Sequence, residues 1–183
     1  MNSKIVFLGQ TKTGKSVVVR YPKMTDLENL LTFINNLSDE KTFVRYQGEH
    51  ETLESERRFI KTRLTEIKEK KSVHLLAFLD KELAGVVEIH LKDKTENHIG
   101  VLALSVVKKF RNDGLGKILL DSVIKEANNE LKGLKIITLE VYSANKIAHD
   151  LYTKIGFVEY GRLPQGISRA GKFEDAILMY KQI

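Results

Sequence analysis

The sequence contains no cysteine, no tryptophan and only two prolines among its 183 residues. Without cysteine the chain has no disulfide, no thiolate nucleophile and no cysteine-ligated metal site, and we expect no metal cofactor. No apolar run approaches the roughly 20 residues that a membrane-spanning helix needs, and no signal-peptide pattern opens the chain. These absences predict a soluble, cytoplasmic protein that does not contact a membrane.

The net charge of +6 raises the question of a nucleic-acid partner. The basic residues alternate with acidic ones, as in the segment Glu66–Lys71, which is typical of a solvated helix face. No base-reading or aromatic stacking motif accompanies the charge, so we expect no nucleic-acid partner. The length and the 42% hydrophobic content predict a single globular domain over residues 1–183.

Hydrophobic periodicity predicts a mixed α/β (α+β) fold in which a mostly antiparallel sheet is flanked by helices. The order is a β-hairpin, two helices, a three-stranded meander, a crossover helix, a strand, a short helix and two strands. The crossover joins strand His98–Val107 to strand Lys135–Tyr142, which makes these two strands parallel. We further expect a capping box of Thr25 with Glu28, an inward-facing Leu53, and a loop from Arg162 to Gly171.

The segment Gly9–Ser16 matches the phosphate-binding pattern G-x-x-x-x-G-K-[ST]. A functional loop of that kind must open a helix, because the helix N-terminus is part of the site. Here Val17–Val19 favour a strand, and Pro22 would break a helix. The segment is therefore predicted to be a hairpin tip, and a P-loop nucleoside triphosphatase is the least favoured function.

A second glycine-containing loop lies between the strand His98–Val107 and the helix that begins near Gly114. Glycines allow backbone amides to approach a ligand closely, and a helix N-terminus carries free N–H groups and partial positive charge. This combination binds phosphate. The predicted phosphate-binding residues are Arg111, Asn112, Asp113, Gly114, Leu115, Gly116 and Lys117.

The spacing Arg-x-x-Gly-x-Gly after a strand resembles the pyrophosphate motif of the GNAT family of N-acetyltransferases. The segment Val141–Asn145, followed by Tyr152 and then Gly156-Phe157, is similar to a later motif of the same family. Weaker similarities, at Val19–Asp26 and Gly171–Met179, extend the resemblance over nearly the whole chain.

The resemblance implies a sheet whose parallel strand pair is splayed at an acyl-CoA site. It implies acetyl-CoA as co-substrate and acetyl transfer to a primary amine by direct attack in a ternary complex. The pantetheine arm would pair with backbone groups of Ser105, Val106 and Val107 and contact Asn145, and the amide of Val106 or Val107 would stabilise the oxyanion. Tyr152 would protonate the leaving thiolate. Without the resemblance, the spacing favours Tyr152 as a core aromatic on an apolar helix stripe, and Asn145 alone could be only a helix N-cap.

The general base is the weakest point of the resemblance. Many family members place a glutamate on the strand before the phosphate loop, where this chain has Gly100. Glu88 is the fallback catalytic residue and His90 a further candidate, although both could be ordinary strand residues. A non-catalytic acyl-CoA-binding module therefore remains the main alternative.

The acceptor is a small-molecule or protein amine, bound in a pocket formed by Leu37–His50 and Arg162–Gly171. The family resemblance also suggests a homodimer.

These assignments predict which nucleotide stabilises the protein. Acetyl-CoA at ~100 times its dissociation constant should add about 2.7 kcal/mol to the free energy of unfolding. The measurement is a thermal shift assay with acetyl-CoA, coenzyme A and Mg-ATP in parallel. Stabilisation by Mg-ATP alone would contradict both the hairpin interpretation of Gly9–Ser16 and the acyl-CoA assignment.

Overall fold

The structure is a computed structural model, and it describes residues 3–183. Within that range eight strands form one sheet in the order β1–β2–β3–β4–β5–β6–β8–β7, accompanied by four α-helices. None of the helices in this range is both long and apolar enough to cross a lipid bilayer. The strands are β1 Ile5–Gln10, β2 Ser16–Arg20, β3 Ser72–Leu79, β4 Glu82–Leu91, β5 Ile99–Val106, β6 Ile136–Tyr142, β7 Val158–Arg169 and β8 Lys172–Gln182. The helices are α1 Leu27–Asp39, α2 Leu53–Lys68, α3 Leu115–Glu130 and α4 Lys146–Lys154.

The sheet confirms the expected mixed topology. All neighbouring strands run antiparallel except β5 and β6, which are parallel and are joined by the crossover helix α3. A parallel pair requires such a long connection, whereas the meander β3–β4–β5 needs only short turns. The order of elements along the chain is also the one expected from periodicity.

Helices cover both faces of the sheet. β3 is buried at all eight positions, and its side chains alternate between the two faces. Leu75 packs in a cluster with Leu119 of α3, whereas Leu76 packs in a second cluster with Leu30 of α1. The core thus has two layers, one on the α3–α4 side of the sheet and one on the α1–α2 side.

The segment Gly9–Ser16 is a hairpin connection, as predicted. Thr11 donates its backbone N–H to the carbonyl of Lys15 at 2.9 Å, and Gly14 takes a positive φ of +84°. β2 begins at Ser16, so no helix follows the glycine. The segment therefore lacks the helix N-terminus that a P-loop needs.

Two details of the helical region were predicted wrongly. Thr25 lies inside a short 3-10 turn, Met24–Asp26, and the carboxylate that accepts a backbone N–H there is Asp26, from Lys23 at 2.8 Å. The capping box of Thr25 with Glu28 is therefore absent from α1. Leu53 is 45% exposed, because it is the first residue after the N-cap of α2 and faces away from the sheet.

The predicted loop from Arg162 to Gly171 is instead part of a long β-hairpin. β7 continues to Arg169 and turns at Ala170–Gly171 into β8. Its pairing shifts register between Leu163 and Ile167, where Pro164 lies. β7 is an edge strand of the sheet, and an edge strand tolerates proline and a bulge.

A buried ion pair joins the end of β2 to the start of α1. Arg20 donates to both carboxylate oxygens of Asp26 at 2.7 Å, and Asp26 is only 2% exposed. The Arg20 guanidinium also lies 4.4 Å from the centroid of the Phe78 ring. Bidentate geometry and burial make this pair a strong link, and it holds α1 against the sheet.

Replacing Asp26 with asparagine should strongly destabilise the fold. The change leaves the buried Arg20 charge without its partner, and such losses cost about 3 kcal/mol. Urea unfolding followed by circular dichroism measures the effect. The matched control is Glu96→Gln in the exposed Lys92–Glu96 pair, which should change stability by less than about 0.5 kcal/mol. Equal effects of the two substitutions would contradict the role given to the buried pair.

Candidate active site

β5 and β6 are paired over only three residues and then separate. Ile99–Val101 of β5 pair with Ile136–Thr138 of β6. Beyond that point β5 is paired only with β4, and β6 only with β8. The C-terminal halves of the two strands therefore face each other across a cleft, and each presents an open backbone edge to which an extended ligand can add.

The backbone pattern of β5 decides which residues face the cleft. Val107 donates its backbone N–H to the carbonyl of Ala84, a residue of β4, at 3.0 Å. Because antiparallel pairs alternate, Ser105 also directs its backbone toward β4, whereas Leu104 and Val106 direct theirs toward the cleft. Of the three predicted residues only Val106 offers its amide to a ligand, and Val107 is excluded as oxyanion donor. Leu104 was missed.

The phosphate-binding loop has the expected conformation. Gly114 is the N-cap of α3 with a φ of +85°, and Asn112 has a φ of +65°. The first intrahelical acceptor, the carbonyl of Gly114, receives the N–H of Lys117, so the amides of Leu115 and Gly116 have no acceptor within the helix. Two adjacent amides at a helix N-terminus are suited to bind an anion.

Gly116 also meets a packing requirement that the sequence did not indicate. A Cβ placed on Gly116 would lie 3.2 Å from a methyl group of Leu151 in α4 and 3.9 Å from one of Leu104 in β5. The absence of a side chain at this position lets the first turn of α3 approach α4. Position 114 favours glycine because its φ is positive, and position 116 favours glycine because a side chain there would crowd α4.

The charged side chains of the loop are not directed as expected. Arg111 donates Nε–H to the carbonyl of Val106 at 2.8 Å and pairs with the carboxylate of Glu40. Lys117 pairs with Asp121 at 2.6 Å on the surface of α3. The predicted use of Arg111 as a free positive charge is therefore wrong, because Glu40 neutralises it. Arg111 instead ties the loop to the end of β5.

The two predicted residues of α4 both have structural partners. Asn145 is the N-cap, and its Oδ1 accepts the backbone N–H of Ala148 at 3.3 Å. Tyr152 is 7% exposed and lies in the α3-side core, with its ring centroid 5.8 Å from that of Phe157. Burial raises the pKa of Tyr152 to about 12, so its hydroxyl retains its proton at neutral pH.

A cavity of about 520 Å³ lies on the opposite face of the sheet, between α1, α2 and strands β3–β5. The expected pocket segment Leu37–His50 contributes three of its lining residues, Leu37, Arg45 and Tyr46. The segment Arg162–Gly171 does not line the cavity, although Arg169 stacks 4.6 Å from the Phe43 ring centroid. The polar lining also includes Glu51, Ser55, Glu56, Arg58, His74, Glu88 and Ser105.

Glu88 belongs to a buried charge network in this cavity. Its carboxylate lies 3.1 Å from Nδ1 of His74 and 2.8 Å from Nε of Arg63. Burial of Glu88 opposes its ionisation, but the hydrogen bond and charge of His74 and the charge of Arg63 outweigh burial and lower its pKa to about 2. Such a carboxylate is a weak base near neutral pH. His90 does not line the cavity.

Glu56 is a cavity carboxylate that the sequence analysis missed. It is 5% exposed, and burial, with a smaller contribution from the charge of Glu51, raises its pKa to about 7. Nε2 of His74, on the facing strand, is buried without a hydrogen-bond partner in the described part of the chain. The signal was the position of Glu56 four residues before Ile60, on the apolar face of α2.

Gly100 does not mark a missing catalytic carboxylate. A Cβ at Gly100 would lie 2.6 Å from Ile89 and 3.0 Å from Leu134, within the α3-side core. The side chains of Ala103 and Ser105, which line the cavity, have the opposite parity and point to the other face. A glutamate at position 100 would point into the α3-side core and would not reach the cavity.

Known proteins share both the sequence pattern and the fold. Residues 31–157 match the model of the acetyltransferase (GNAT) family. A GNAT-family acetyltransferase structure from Streptococcus pneumoniae is 32% identical with a TM-score of 0.83, covering 91% of this chain and 99% of that one. A ribosomal-protein-alanine N-acetyltransferase from Brucella melitensis is 21% identical (TM-score 0.79; coverage 90% and 99%). A putative acetyltransferase from Salmonella typhimurium, solved with its cofactor acetyl-CoA, is 16% identical (TM-score 0.78; coverage 91% and 93%).

The family match covers most of the chain, from α1 to the residue before β7, and therefore includes the phosphate-binding loop, the β5–β6 cleft and the cavity. The strand order with one parallel pair, the open edge of β5 and the glycine-capped helix α3 are in accord with it. This chain belongs to the GNAT family of acetyltransferases.

Proposed function

We propose that this protein transfers an acetyl group from acetyl-CoA to a primary amine by direct attack within a ternary complex. The observation that carries the proposal is the position of β5. Its backbone at Val106 faces the cleft, while its Ser105 side chain lines the cavity on the other side. An acyl donor in the cleft and an amine in the cavity would meet at the C-terminal end of this strand.

The cleft has the features that acetyl-CoA requires. The open edge of β5 at Leu104 and Val106 offers backbone partners for the amide groups of the pantetheine arm. The unpaired amides of Leu115 and Gly116 suit the pyrophosphate. Bound there, acetyl-CoA would supply an activated thioester. The complex of the similarly folded Salmonella protein with acetyl-CoA supports this choice of donor.

Three groups of the chain would serve the transfer. The amine must reach its neutral form, and we assign the acceptance of its proton to Glu56, because the pKa of about 7 suits a base at neutral pH better than that of Glu88. The Val106 amide would stabilise the oxyanion. Tyr152 would give its proton to the leaving thiolate, the role implied by its match to the family motif.

Glu88 would position other side chains and would not itself contact the reacting atoms. Its ionised carboxylate holds His74 and Arg63 in the cavity wall, beside the β5 residue Ala103 with which it pairs. The apolar wall formed by Leu30 and its neighbours on α1 suits an amine on a partly apolar carrier. The Brucella relative's name makes an N-terminal alanine amine one candidate.

Acetylation should be detectable by thiol release. We expect coenzyme A to form from acetyl-CoA only when a primary amine is added. The measurement uses a thiol-reactive dye across a panel of small amines and of peptides beginning with alanine. Mass spectrometry should show a 42-Da gain on the accepted amine. The same assay without amine is the control. Tight binding of acetyl-CoA with no amine-dependent release across the panel would favour a non-catalytic acyl-CoA-binding module.

Glu56→Gln should reduce kcat/KM by at least about 100-fold, the range typical of losing a general base. In the unmodified protein the basic form of Glu56 increases as pH rises through about 7, so kcat/KM should rise over that interval. The pH profile of the variant should lack this rise, while its affinity for acetyl-CoA stays unchanged.

Two other variants complete the comparison. Glu54→Gln, on the exposed side of the same helix, should behave like the unmodified protein. Glu88→Gln should lower activity but retain the pH-dependent rise, because Glu88 is not the group that titrates. A rise near pH 7 that disappears in Glu88→Gln and persists in Glu56→Gln would reverse the two assignments.

A further inference from the structure

The two positive side chains that bracket the phosphate-binding loop in sequence are both engaged elsewhere. Arg111 is held by the Val106 carbonyl and the Glu40 carboxylate. Lys117 pairs with Asp121, one turn further along α3. The bound pyrophosphate of a cofactor carries two negative charges, and the amides of α3 alone supply only partial positive charge. Another cation would therefore stabilise the bound state.

The β1–β2 hairpin tip docks directly on this loop. The backbone N–H of Thr13 donates to Oδ1 of Asp113 at 2.8 Å, and the Thr13 hydroxyl donates to Oδ2 at 2.7 Å. The backbone N–H of Lys12 donates to the Asp113 carbonyl at 3.1 Å. Three hydrogen bonds thus join segments about 100 residues apart in the chain, and together they orient the tip relative to the N-terminus of α3.

This docking places the side chain of Lys12 on Gly114. A Cβ built at Gly114 would lie 3.2 Å from Cγ, 3.6 Å from Cδ and 3.5 Å from Cε of Lys12. The Lys12 stem therefore runs across the N-cap of α3, the residue directly before Leu115 and Gly116, whose amides have no acceptor within the helix. Within residues 3–183 the ammonium of Lys12 forms no ion pair, in contrast to Arg111 and Lys117.

We propose that Lys12 is a phosphate-binding residue of the acetyl-CoA site, and that Thr13 and Asp113 position it there. This inference rests on the proposed function, since it assumes that acetyl-CoA lies with its pyrophosphate on the amides of α3. Lys12 supplies a full positive charge from a strand hairpin outside the loop, and it takes the place of the charge that Arg111 gives to Glu40. Asp113 contributes through its contact with Thr13 and not through a contact with phosphate.

The test is isothermal titration of the full-length protein with coenzyme A and with 3′-dephospho-coenzyme A. Lys12→Gln should raise the dissociation constant of both ligands about 10-fold, the equivalent of about 1.4 kcal/mol. Both should be affected because they share the pyrophosphate. Lys12→Arg, which keeps the charge, should stay within about threefold of the unmodified protein. Lys132→Gln, an exposed lysine just beyond the other end of α3, should bind as the unmodified protein does.

Thr13→Ala tests the positioning role separately. It keeps Lys12 but removes the hydroxyl bond to Asp113, so we expect a smaller loss of affinity for both ligands. In a protein that already carries Lys12→Gln, Thr13→Ala should cause little further loss of affinity, since the two residues act through one contact. Full additivity of the two substitutions would contradict positioning.

The remaining outcomes separate this inference from the function on which it rests. Unchanged affinity of Lys12→Gln would overturn the inference and leave the acetyl-CoA assignment intact. A loss with coenzyme A that is absent with the dephospho compound would overturn the pyrophosphate contact, because it would assign Lys12 to the 3′-phosphate. If the unmodified protein bound neither ligand, the proposed function itself would fail.

Discussion

β5 and β6 share hydrogen bonds over three residues and then continue with their facing edges unpaired. The rest of the site depends on this separation, because it leaves both backbone groups of Leu104 and the backbone N–H of Val106 open to a ligand inside an otherwise continuous sheet, while Arg111 occupies the Val106 carbonyl. Each strand keeps a continuous ladder on its other side, β5 with β4 and β6 with β8. At the margin of a sheet an unpaired strand edge can pair with another chain and cause aggregation. Here the unpaired edge is enclosed between strands.

In the proposed reaction, the pleat of β5 would direct the two substrates to different faces. Backbone groups of alternate residues point into the cleft, and the side chains of Ala103 and Ser105 point toward the cavity under α1 and α2. Residues of the other parity, among them Gly100 and Leu102, pack beneath α3. A single strand thus borders the cleft, the cavity and the core, and a shift of one residue in its register would disrupt all three.

Charge is used in two distinct ways around this strand. Arg111 with Glu40, and Arg63 with Glu88, are pairs whose charges compensate each other and that fix the loop after β5 and the wall of the cavity. Lys12 and Glu56 differ: within residues 3–183, Lys12 is exposed against the N-cap of α3 and forms no ion pair, and Glu56 is buried and forms no ion pair with a cation. Groups without an internal partner are the ones left to act on a ligand.

The sequence by itself determined the order of elements, the parallel crossover and the glycine-capped loop, because periodicity, β-branched runs and glycine conformations act over a few neighbouring residues. It also disfavoured a P-loop, since Val17–Val19 favour a strand over the helix that such a loop must open. Only the tertiary structure decided which side chains are paired. Arg111 was expected to meet phosphate and instead meets Glu40, 71 residues away. The place of Glu56 on the apolar face of α2 was readable from its spacing to Ile60, but its raised pKa depends on burial within the folded chain. Lys12 lies against Gly114 through the contact of the hairpin tip with Asp113, and contacts of such long sequence separation leave no local pattern in the sequence.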